Sequence, residues 1–406
     1  MSTQTATPQS GKPVVEFKNV DIIFGNKTAE AMKLLDAGMS RADILEKTGS
    51  VLGAAGANLT VNEGEISVLM GLSGSGKSTL LRAVNGLNKV TRGEVIVHGA
   101  HGTTDVVSCS DEQLRNVRRG AVAMVFQQFA LLPWRTVREN VGLGLELSGV
   151  PQAELDARVT KQLDLVGLTQ WANKYAHELS GGMQQRVGLA RAFATEAPIL
   201  LMDEPFSALD PLIRTKLQDE LLQLQKALKK TIIFVSHDLE EALKIGNTIT
   251  IMESGRIVQS GKPEDIVLRP ANDYVREFIS NVNPLSVLTA WNVMRNVSEL
   301  EQEKDGWVWL DRRKTTRFKL DKSSHVIDAE SNGKKSQWVS CAEVENEFSG
   351  SSNPVFWATP GTNLRTVMLA MHKSHTAPVA LFDETSKFVG SIGIRDLLQA
   401  VLRRES

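Results

Sequence analysis

The sequence predicts an α/β protein built around a parallel sheet, and three observations support this fold class. Residues 71–79 read GLSGSGKST, which matches the pattern G-x-x-x-x-G-K-[ST] that cradles phosphate groups. This loop lies between a strand-like run, 65–70, and a helix-like run, 80–84. Two further apolar runs, 199–202 and 231–235, end in polar side chains, as strands do at the carboxyl edge of a parallel sheet.

Length and composition limit the possible classes of protein. A chain of 406 residues is long enough for two or three domains. The formal net charge of −1 argues against a nucleic-acid partner bound through a broad basic surface. No run approaches the about 18 consecutive apolar residues of a membrane-spanning helix, and residues 1–6 lack the features of a signal peptide. We therefore expect a cytosolic chain that does not itself cross a membrane.

The N-terminal region begins with small polar residues, and we expect 1–13 to be a flexible tail. The alternating residues 15–24 predict one or two antiparallel strands. Phe24 ends this stretch, and two interpretations stay open: the ring stacks on an adenine, or it packs in the core.

Residues 26–53 read as helical and separate Phe24 from the rest of the sheet. A first helix stops near Gly38, and a capping-box pattern at Ser40 opens a second that ends by Gly49.

Each residue type of the glycine-rich loop has a task in phosphate binding. Glycines let backbone N–H groups approach the phosphates, Lys77 reaches the β- and γ-phosphates, and Ser78 ligates Mg²⁺. We therefore assign nucleotide contacts to the whole loop: Gly71, Leu72, Ser73, Gly74, Ser75, Gly76, Lys77, Ser78 and Thr79.

Polar residues also follow three of the apolar runs. The run 121–126 precedes Gln127, and the two runs named above precede Asp203-Glu204 and His237. Carboxylate oxygens suit Mg²⁺, so we assign Asp203 to the metal. Glu204 is expected to orient and deprotonate a water for in-line attack, and His237 to contact the γ-phosphate.

A second helix start with glycines, Leu179-Ser180-Gly181-Gly182, follows a helical stretch at about 138–174. Together these motifs resemble the nucleotide-binding subunit of an ATP-binding cassette (ABC) transporter, over about 14–282. The resemblance gives each motif a family role: 71–79 is the Walker A loop, Gln127 the Q-loop glutamine and a further magnesium ligand, 199–203 the Walker B strand, Glu204 the catalytic carboxylate, 207–210 the D-loop, His237 the switch histidine and Phe24 the aromatic that stacks on adenine.

The resemblance also implies a P-loop NTPase fold, with a RecA-like parallel core, an antiparallel β subdomain and a helical subdomain at about 127–189. It implies an ATPase that uses ATP and Mg²⁺ and works as a head-to-tail homodimer. Ser180, Gly181 and Gly182 of one subunit would close over the ATP held by the other. The chain would lie at the cytoplasmic face of the plasma membrane, bound to a permease, with a substrate-binding protein as an indirect partner.

The transported solute is suggested by shorter resemblances. Residues 42–49, ADILEKTG, are similar to the ATPases of glycine betaine, proline betaine and choline importers. Three stretches resemble the choline group most: 132–134, 167–171 and 283–285. The alternatives are an ABC ATPase for another imported solute and a soluble ABC ATPase outside transport. One cassette without long coiled-coil or zinc insertions favours transport.

The C-terminal region lacks phosphate motifs. We therefore divide the chain into a cassette, 14–283, and a C-terminal accessory domain, 284–406. Within it, 360–404 resembles one cystathionine β-synthase (CBS) module, a type that works in pairs; an earlier partner would lie within 291–357, where the sequence shows no recognisable module. Gly393 stands where nucleotide-binding modules carry Ser or Thr. A small packing or dimerisation domain is the other interpretation.

Overall fold

The computed structural model of the protein describes residues 11–99, 102–127, 130–207, 209–280, 282–336, 338–341, 354–374 and 376–402. The chain divides into two compact units, 1–266 and 267–406. This division precedes the boundary drawn from the sequence at 283. Most of the predicted tail lies outside the described residues, and the first strand already begins at Pro13.

Ten strands and nine α-helices lie wholly within the described residues of the first unit. In chain order they are β1 (Pro13–Phe24), α1 (Thr28–Asp36), α2 (Arg41–Thr48), β2 (Val51–Asn62), β3 (Ile66–Met70), α3 (Lys77–Ala83), β4 (Arg92–Gly99), β5 (Gly102–Asp105), α4 (Asp111–Asn116), β6 (Val122–Val125), α5 (Val137–Leu147), α6 (Gln152–Leu165), α7 (Gly181–Ala194), β7 (Ile199–Asp203), α8 (Pro211–Leu228), β8 (Thr231–Val235), α9 (Leu239–Ile245), β9 (Thr248–Glu253) and β10 (Arg256–Gly261).

These strands form two sheets, which confirms the predicted α/β class. The larger has the order β10-β9-β3-β8-β7-β6, and all its neighbours pair in parallel except β10 with β9. The smaller, β2-β1-β4-β5, is antiparallel. Because β3, β7 and β8 are adjacent and parallel, the loops that follow them open at the same edge of the sheet.

The insertion between β1 and β2 folds as the sequence predicts. Ser40 caps α2 in a capping box with Asp43, and Gly49 ends it with a left-handed φ of 67°. The insertion has its own small apolar cluster, separate from the main core: Ile23, Ala31, Leu35, Ile44, Leu52 and Ala55. The strand β2, rich in Gly and Ala, starts at Val51, inside the range read as helical.

The helical subdomain consists of α5, α6 and α7, which pack around a third apolar cluster that includes Val141, Leu163 and Val187. Thr136 opens α5 with a capping box to Glu139. Within the residues that the structure describes, no helix is both long and apolar enough to cross a membrane.

The second unit contains short strands and helices. They are α10 (Pro263–Leu268), which begins just before the boundary, α11 (Asp273–Phe278), α12 (Ala290–Val293), β11 (Arg295–Asn296), β12 (Trp307–Trp309), β13 (Thr316–Leu320), β14 (Val326–Ser331), β15 (Lys334–Lys335), β16 (Trp338–Ser340), β17 (Val355–Ala358), α13 (Leu364–Lys373), β18 (Val379–Phe382), β19 (Phe388–Ile392) and α14 (Ile394–Leu402).

One sheet of this unit has the order β11-β19-β18-β17-β16 and is covered on both faces. Phe356 and Leu381 contribute to the apolar cluster that contains residues of α13 and α14. Val355 and Ala380, which alternate with them, pack with residues of a four-stranded antiparallel sheet, β12-β13-β14-β15.

The described part of 291–357 does not fold as a second CBS-like module. It forms the antiparallel sheet β12–β15 and contributes β11, β16 and β17 to the five-stranded sheet, instead of forming a second strand–helix–strand–strand–helix unit. Alternation explains the difference, since Thr316 and Phe318 are buried while Arg317 lies between them and stacks 4.3 Å over the Trp307 ring.

Candidate active site

The glycine-rich loop connects β3 to α3 and is enclosed by backbone from other elements. Gly71 has φ +143°, and a Cβ there would lie 2.1 Å from the Met252 carbonyl oxygen. Gly76 has φ +105°, and its Cβ would lie 2.2 Å from the Gly53 carbonyl oxygen. Both positions therefore require glycine for conformation and for close approach.

Lys77 lies inside this loop and is almost fully buried. Its Nζ donates hydrogen bonds to the carbonyl oxygens of Gly71 at 2.8 Å and Leu72 at 3.0 Å. Burial lowers the pKa of the Lys77 ammonium, although the carboxylates of Glu204 and Asp203 oppose the shift. The loop thus already encircles one positive charge.

The outer part of the loop is open to solvent. Leu72, Ser73 and Gly74 are exposed, and Ser78 and Thr79 are half-buried. The Ser75 hydroxyl is buried and has no hydrogen-bond partner among the described residues. An unpaired buried hydroxyl beside a glycine-lined loop fits a site that receives a polar ligand such as a phosphate chain.

Asp203 ends β7 and is fully buried. Its Oδ1 accepts a hydrogen bond of 2.6 Å from Ser78, the first predicted magnesium ligand. Its Oδ2 pairs with the guanidinium of Arg82, whose Nη2 lies 2.8 Å away. The two predicted metal ligands Ser78 and Asp203 are therefore in contact. Arg82, which the sequence did not single out, neutralises the charge of Asp203.

Glu204 brings together the predicted catalytic residues. Gln127 Nε2 donates to Glu204 Oε2 at 3.1 Å, and His237 Nδ1 lies 3.1 Å from the same oxygen. Gln127 and His237 are exposed, whereas Glu204 is half-buried. The three side chains follow β6, β7 and β8, so adjacent parallel strands explain their convergence.

Phe24 lies at the end of β1, and its side chain is 41% exposed, so it is not a core residue. Gly53 of β2 separates the ring from the phosphate loop. A Cβ on Gly53 would lie 2.7 Å from the Phe24 ring and 2.8 Å from Thr79 Cγ2. The ring is therefore next to the helix that carries the loop, with a face available to a flat ligand.

The second glycine-containing motif lies at the start of α7. Ser180 is the N-cap residue and is exposed, yet its side chain makes no capping hydrogen bond. Gly181 is exposed and Gly182 half-buried. A Cβ on Gly182 would touch Leu209 of the predicted D-loop at 3.3 Å, so the two motifs are neighbours.

Two arginines at the phosphate loop were missed by reasoning from the sequence. Arg82 binds Asp203 across 121 residues, and Arg41 Nη1 donates to the Gly74 carbonyl oxygen from the insertion. Neither contact has a local signal, because both depend on how distant elements pack. For Arg82, the position one turn beyond Ser78 on α3 was the available hint.

The C-terminal unit contains a buried ion pair near the predicted ligand position. Arg295 Nε lies 3.1 Å from Asp396 Oδ2, and both side chains are largely buried. The Gly393 N–H donates to the same oxygen at 2.8 Å. The acid that follows Gly393 is thus already engaged by the protein.

Two family models match the chain, one within the first structural unit and one within the second. A model described as ABC transporter matches residues 54–207, and a model described as CBS domain matches residues 346–403. The second match covers α13, β18, β19 and α14, so the prediction of one CBS module in this region is confirmed.

Similar proteins include several transport ATPases. The glycine betaine transport ATP-binding protein OpuAA of Bacillus subtilis is 41% identical over 94% of this chain and 91% of its own length. The glycine betaine/proline betaine transport system ATP-binding protein ProV of Escherichia coli is 51% identical over 69% of each chain. The trimethylamine N-oxide transport system ATP-binding protein TmoW of Pelagibacter ubique is 39% identical over 84% and 95%.

Among solved structures, a dimeric ATP-binding cassette in a post-hydrolysis state, bound to ADP and Pi, is similar to this chain. It is 32% identical, with a TM-score of 0.52, and the match covers 61% of this chain and 98% of the other.

Proposed function

Because this chain belongs to the ATP-binding subunits of ABC transporters, we propose that it couples ATP hydrolysis to the import of a quaternary amine through a membrane permease. The observation that carries the proposal is the meeting of Gln127 and His237 at one oxygen of Glu204, beside a loop that encloses Lys77. Phosphoryl transfer depends on such positioning more than on covalent chemistry.

In the proposed reaction each side chain has a separate task. Lys77 and the backbone of 71–79 hold the phosphate chain, and the Phe24 ring stacks on the adenine. Glu204 orients the attacking water and accepts its proton. Gln127 and His237 hold the Glu204 carboxylate in place, and His237 would contact the γ-phosphate.

The oxygen ligands expected for magnesium fit a hard divalent cation. Ser78 and Asp203 already share a hydrogen bond, and Gln127 lies one strand away from Asp203. A bound Mg²⁺ would neutralise phosphate charge during hydrolysis. Arg82 also supplies positive charge at Asp203.

We further propose that two chains form head-to-tail composite sites. The exposed Ser180, whose hydroxyl makes no capping hydrogen bond, supports this arrangement together with Gly181 and Gly182, since the start of a helix offers N–H donors to a phosphate held by another subunit.

We propose a membrane permease as the direct partner of this chain at the cytoplasmic face of the membrane. A substrate-binding protein on the other side of the membrane is proposed as an indirect partner. The helical subdomain carries Trp134, which is 71% exposed, and a large exposed indole is typical of an interaction surface. This supports a permease contact near 130–134.

For the solute, the names of the similar proteins favour glycine betaine, proline betaine or a related amine. The short stretches in the sequence favour choline. An ATPase for another imported solute is the alternative, followed by an ABC ATPase that acts outside transport.

The experiment is uptake of labelled choline, glycine betaine and proline betaine by the complete transporter reconstituted in vesicles. Wild-type protein should take up at least one amine when ATP is supplied. The Glu204→Gln variant should bind ATP and support almost no uptake, because the water-orienting carboxylate is gone. Uptake of none of the amines would overturn the substrate assignment, and near-normal ATP turnover by Glu204→Gln would overturn the catalytic one.

A further inference from the structure

Arg41 is the first residue of α2 and the point where the insertion meets the phosphate loop. Its Nη1 donates a hydrogen bond of 2.5 Å to the carbonyl oxygen of Gly74. Gly74 lies on the exposed part of the loop, with φ +77° and open space beside its α-carbon. The insertion thereby brings a guanidinium to the solvent side of the loop.

The insertion holds Arg41 in a defined position. Leu35 and Ile44 anchor α1 and α2 in the insertion cluster. Arg92 ties α1 to the antiparallel sheet, because its Nε lies 2.7 Å from Asp21 Oδ2 and its Nη2 lies 2.8 Å from Asp36 Oδ1. The capping box at Ser40 fixes the first turn of α2 immediately before Arg41.

The charge on Arg41 is not compensated locally. Within the described part of the chain, no carboxylate forms an ion pair with Arg41, whereas Arg82 and Arg92 are both paired. A guanidinium offers five N–H donors, and the Gly74 contact uses one of its nitrogens. The remaining donors are available to an anion at the loop.

A phosphate chain at this loop needs more positive charge than the buried lysine provides. A nucleoside triphosphate carries about four negative charges, and Lys77 with Mg²⁺ would balance about three of them. Lys77 also directs part of its donor capacity to the Gly71 and Leu72 carbonyls.

We propose that Arg41 is a second cationic contact for the phosphate chain, supplied by the insertion and acting together with Lys77. The proposal rests on the proposed function, namely that the loop binds ATP. Because the attraction grows with ligand charge, Arg41 strengthens binding of a triphosphate more than that of a diphosphate. The insertion between β1 and β2 would then contribute a residue to the nucleotide site.

The test measures binding of β,γ-imido-ATP and ADP to the full-length protein by isothermal titration calorimetry. The variants are Arg41→Met and Arg41→Lys. Lys47→Met is the matched control, since it removes one positive charge from the last turn of the same helix, where Lys47 contacts Met39. Thermal unfolding verifies that each variant is folded.

In low salt, Arg41→Met should bind β,γ-imido-ATP about fivefold more weakly and ADP about twofold more weakly. Arg41→Lys should lie between Arg41→Met and wild type, because it keeps the charge without the planar fork. Lys47→Met should bind like wild type. Salt of about 0.5 M should shrink the difference between Arg41→Met and wild type, since an exposed charge is screened.

Wild-type affinity in Arg41→Met would overturn the proposal. An equal loss for both nucleotides that persists at high salt would also overturn it, because Arg41 would then only brace the loop. If Arg41→Met fails to fold, Arg41→Lys decides the question by the same comparison of the two nucleotides. Absence of nucleotide binding by the wild-type protein would instead refute the proposed function.

Discussion

At the scale of single residues, Glu204 adopts a backbone conformation that non-glycine residues rarely take. Its φ is +46°, in the left-handed region. Such conformations cost about 1–3 kcal/mol and persist where surrounding contacts impose them. Here the N–H of Glu204 donates to the Val235 carbonyl oxygen at 3.1 Å, and the turn directs the carboxylate to Gln127 and His237. The strain therefore coincides with the residue proposed for catalysis.

Arg82 gives a prediction at the same scale. We expect Arg82→Met to lower the free energy of unfolding by about 2 kcal/mol without nucleotide, because the buried Asp203 carboxylate loses its ionic partner. A magnesium ion held with ADP should replace that partner. Adding Mg²⁺ and ADP should therefore raise the Tm of the variant more than that of wild type, as measured by scanning calorimetry.

Arg82→Lys is the control for this prediction, since it retains the charge near Asp203 and should lose less stability. If Arg82→Met unfolds like the wild-type protein, the ion pair contributes nothing to the fold. If Mg²⁺ with ADP raises the Tm of the variant and of the wild-type protein equally, the metal does not replace Arg82 as the partner of Asp203.

At the scale of elements, α7 gives a prediction about assembly. In a Glu204→Gln background that traps ATP, the protein should be a dimer by light scattering. Adding Ser180→Arg should leave it monomeric, because a large charged side chain would occupy the place of the ATP held by the other subunit. ATP should still bind to each monomer, since Lys77 is untouched.

Two controls accompany the assembly test. The Lys77→Ala variant should stay monomeric because it loses ATP. The wild-type protein with ADP should dimerise less than the trapped variant with ATP. A Glu204→Gln protein that stays monomeric with ATP would contradict the composite site.

The sequence allowed most of the first unit to be predicted because its signals are local. The capping box at Ser40 and the buried runs before Asp203 and His237 each specify one element. β2 was missed because its small residues have low strand propensity, and pairing with β1 makes it a strand. Gly53 shows why this position is small: a Cβ there would lie 2.7 Å from the Phe24 ring and 2.8 Å from Thr79 Cγ2, so a larger side chain would not fit.

The candidate site was predictable to the same extent. The residues at strand ends come together because parallel neighbours share an edge, which a sequence reveals. Arg41 and Arg82 were not predictable, since each acts on a residue far along the chain. The sheet β12–β15 was missed because its strands are short and carry many charged residues, among them Arg317.

At the scale of the whole molecule, the two units have separate apolar cores, and all residues of the proposed phosphate site lie in the first. A chain that ends at Val282 should therefore hydrolyse ATP within about twofold of the full-length rate, because domains with their own core fold independently. In reconstituted transporter, removal of the second unit should change how salt controls uptake of the amine.

A second truncation, ending at Leu268, follows the boundary of the structural units and omits α11. Its ATPase rate should equal that of the longer truncation, and unfolding experiments should show which is more stable. Loss of hydrolysis in both would mean that the second unit supports the active site. An unchanged salt response would leave the second unit with a structural role.

The position of the insertion between β1 and β2 makes it a segment that evolution or protein engineering can exchange. Phe24 and Val51, the residues that flank it, are cross-strand partners, and so are Ile23 and Leu52. The insertion is therefore an enlarged hairpin connection whose two ends already meet, and it brings its own apolar cluster. A module of this kind can be gained, lost or transplanted by exchanging it for a tight turn, while the register of the strands stays intact.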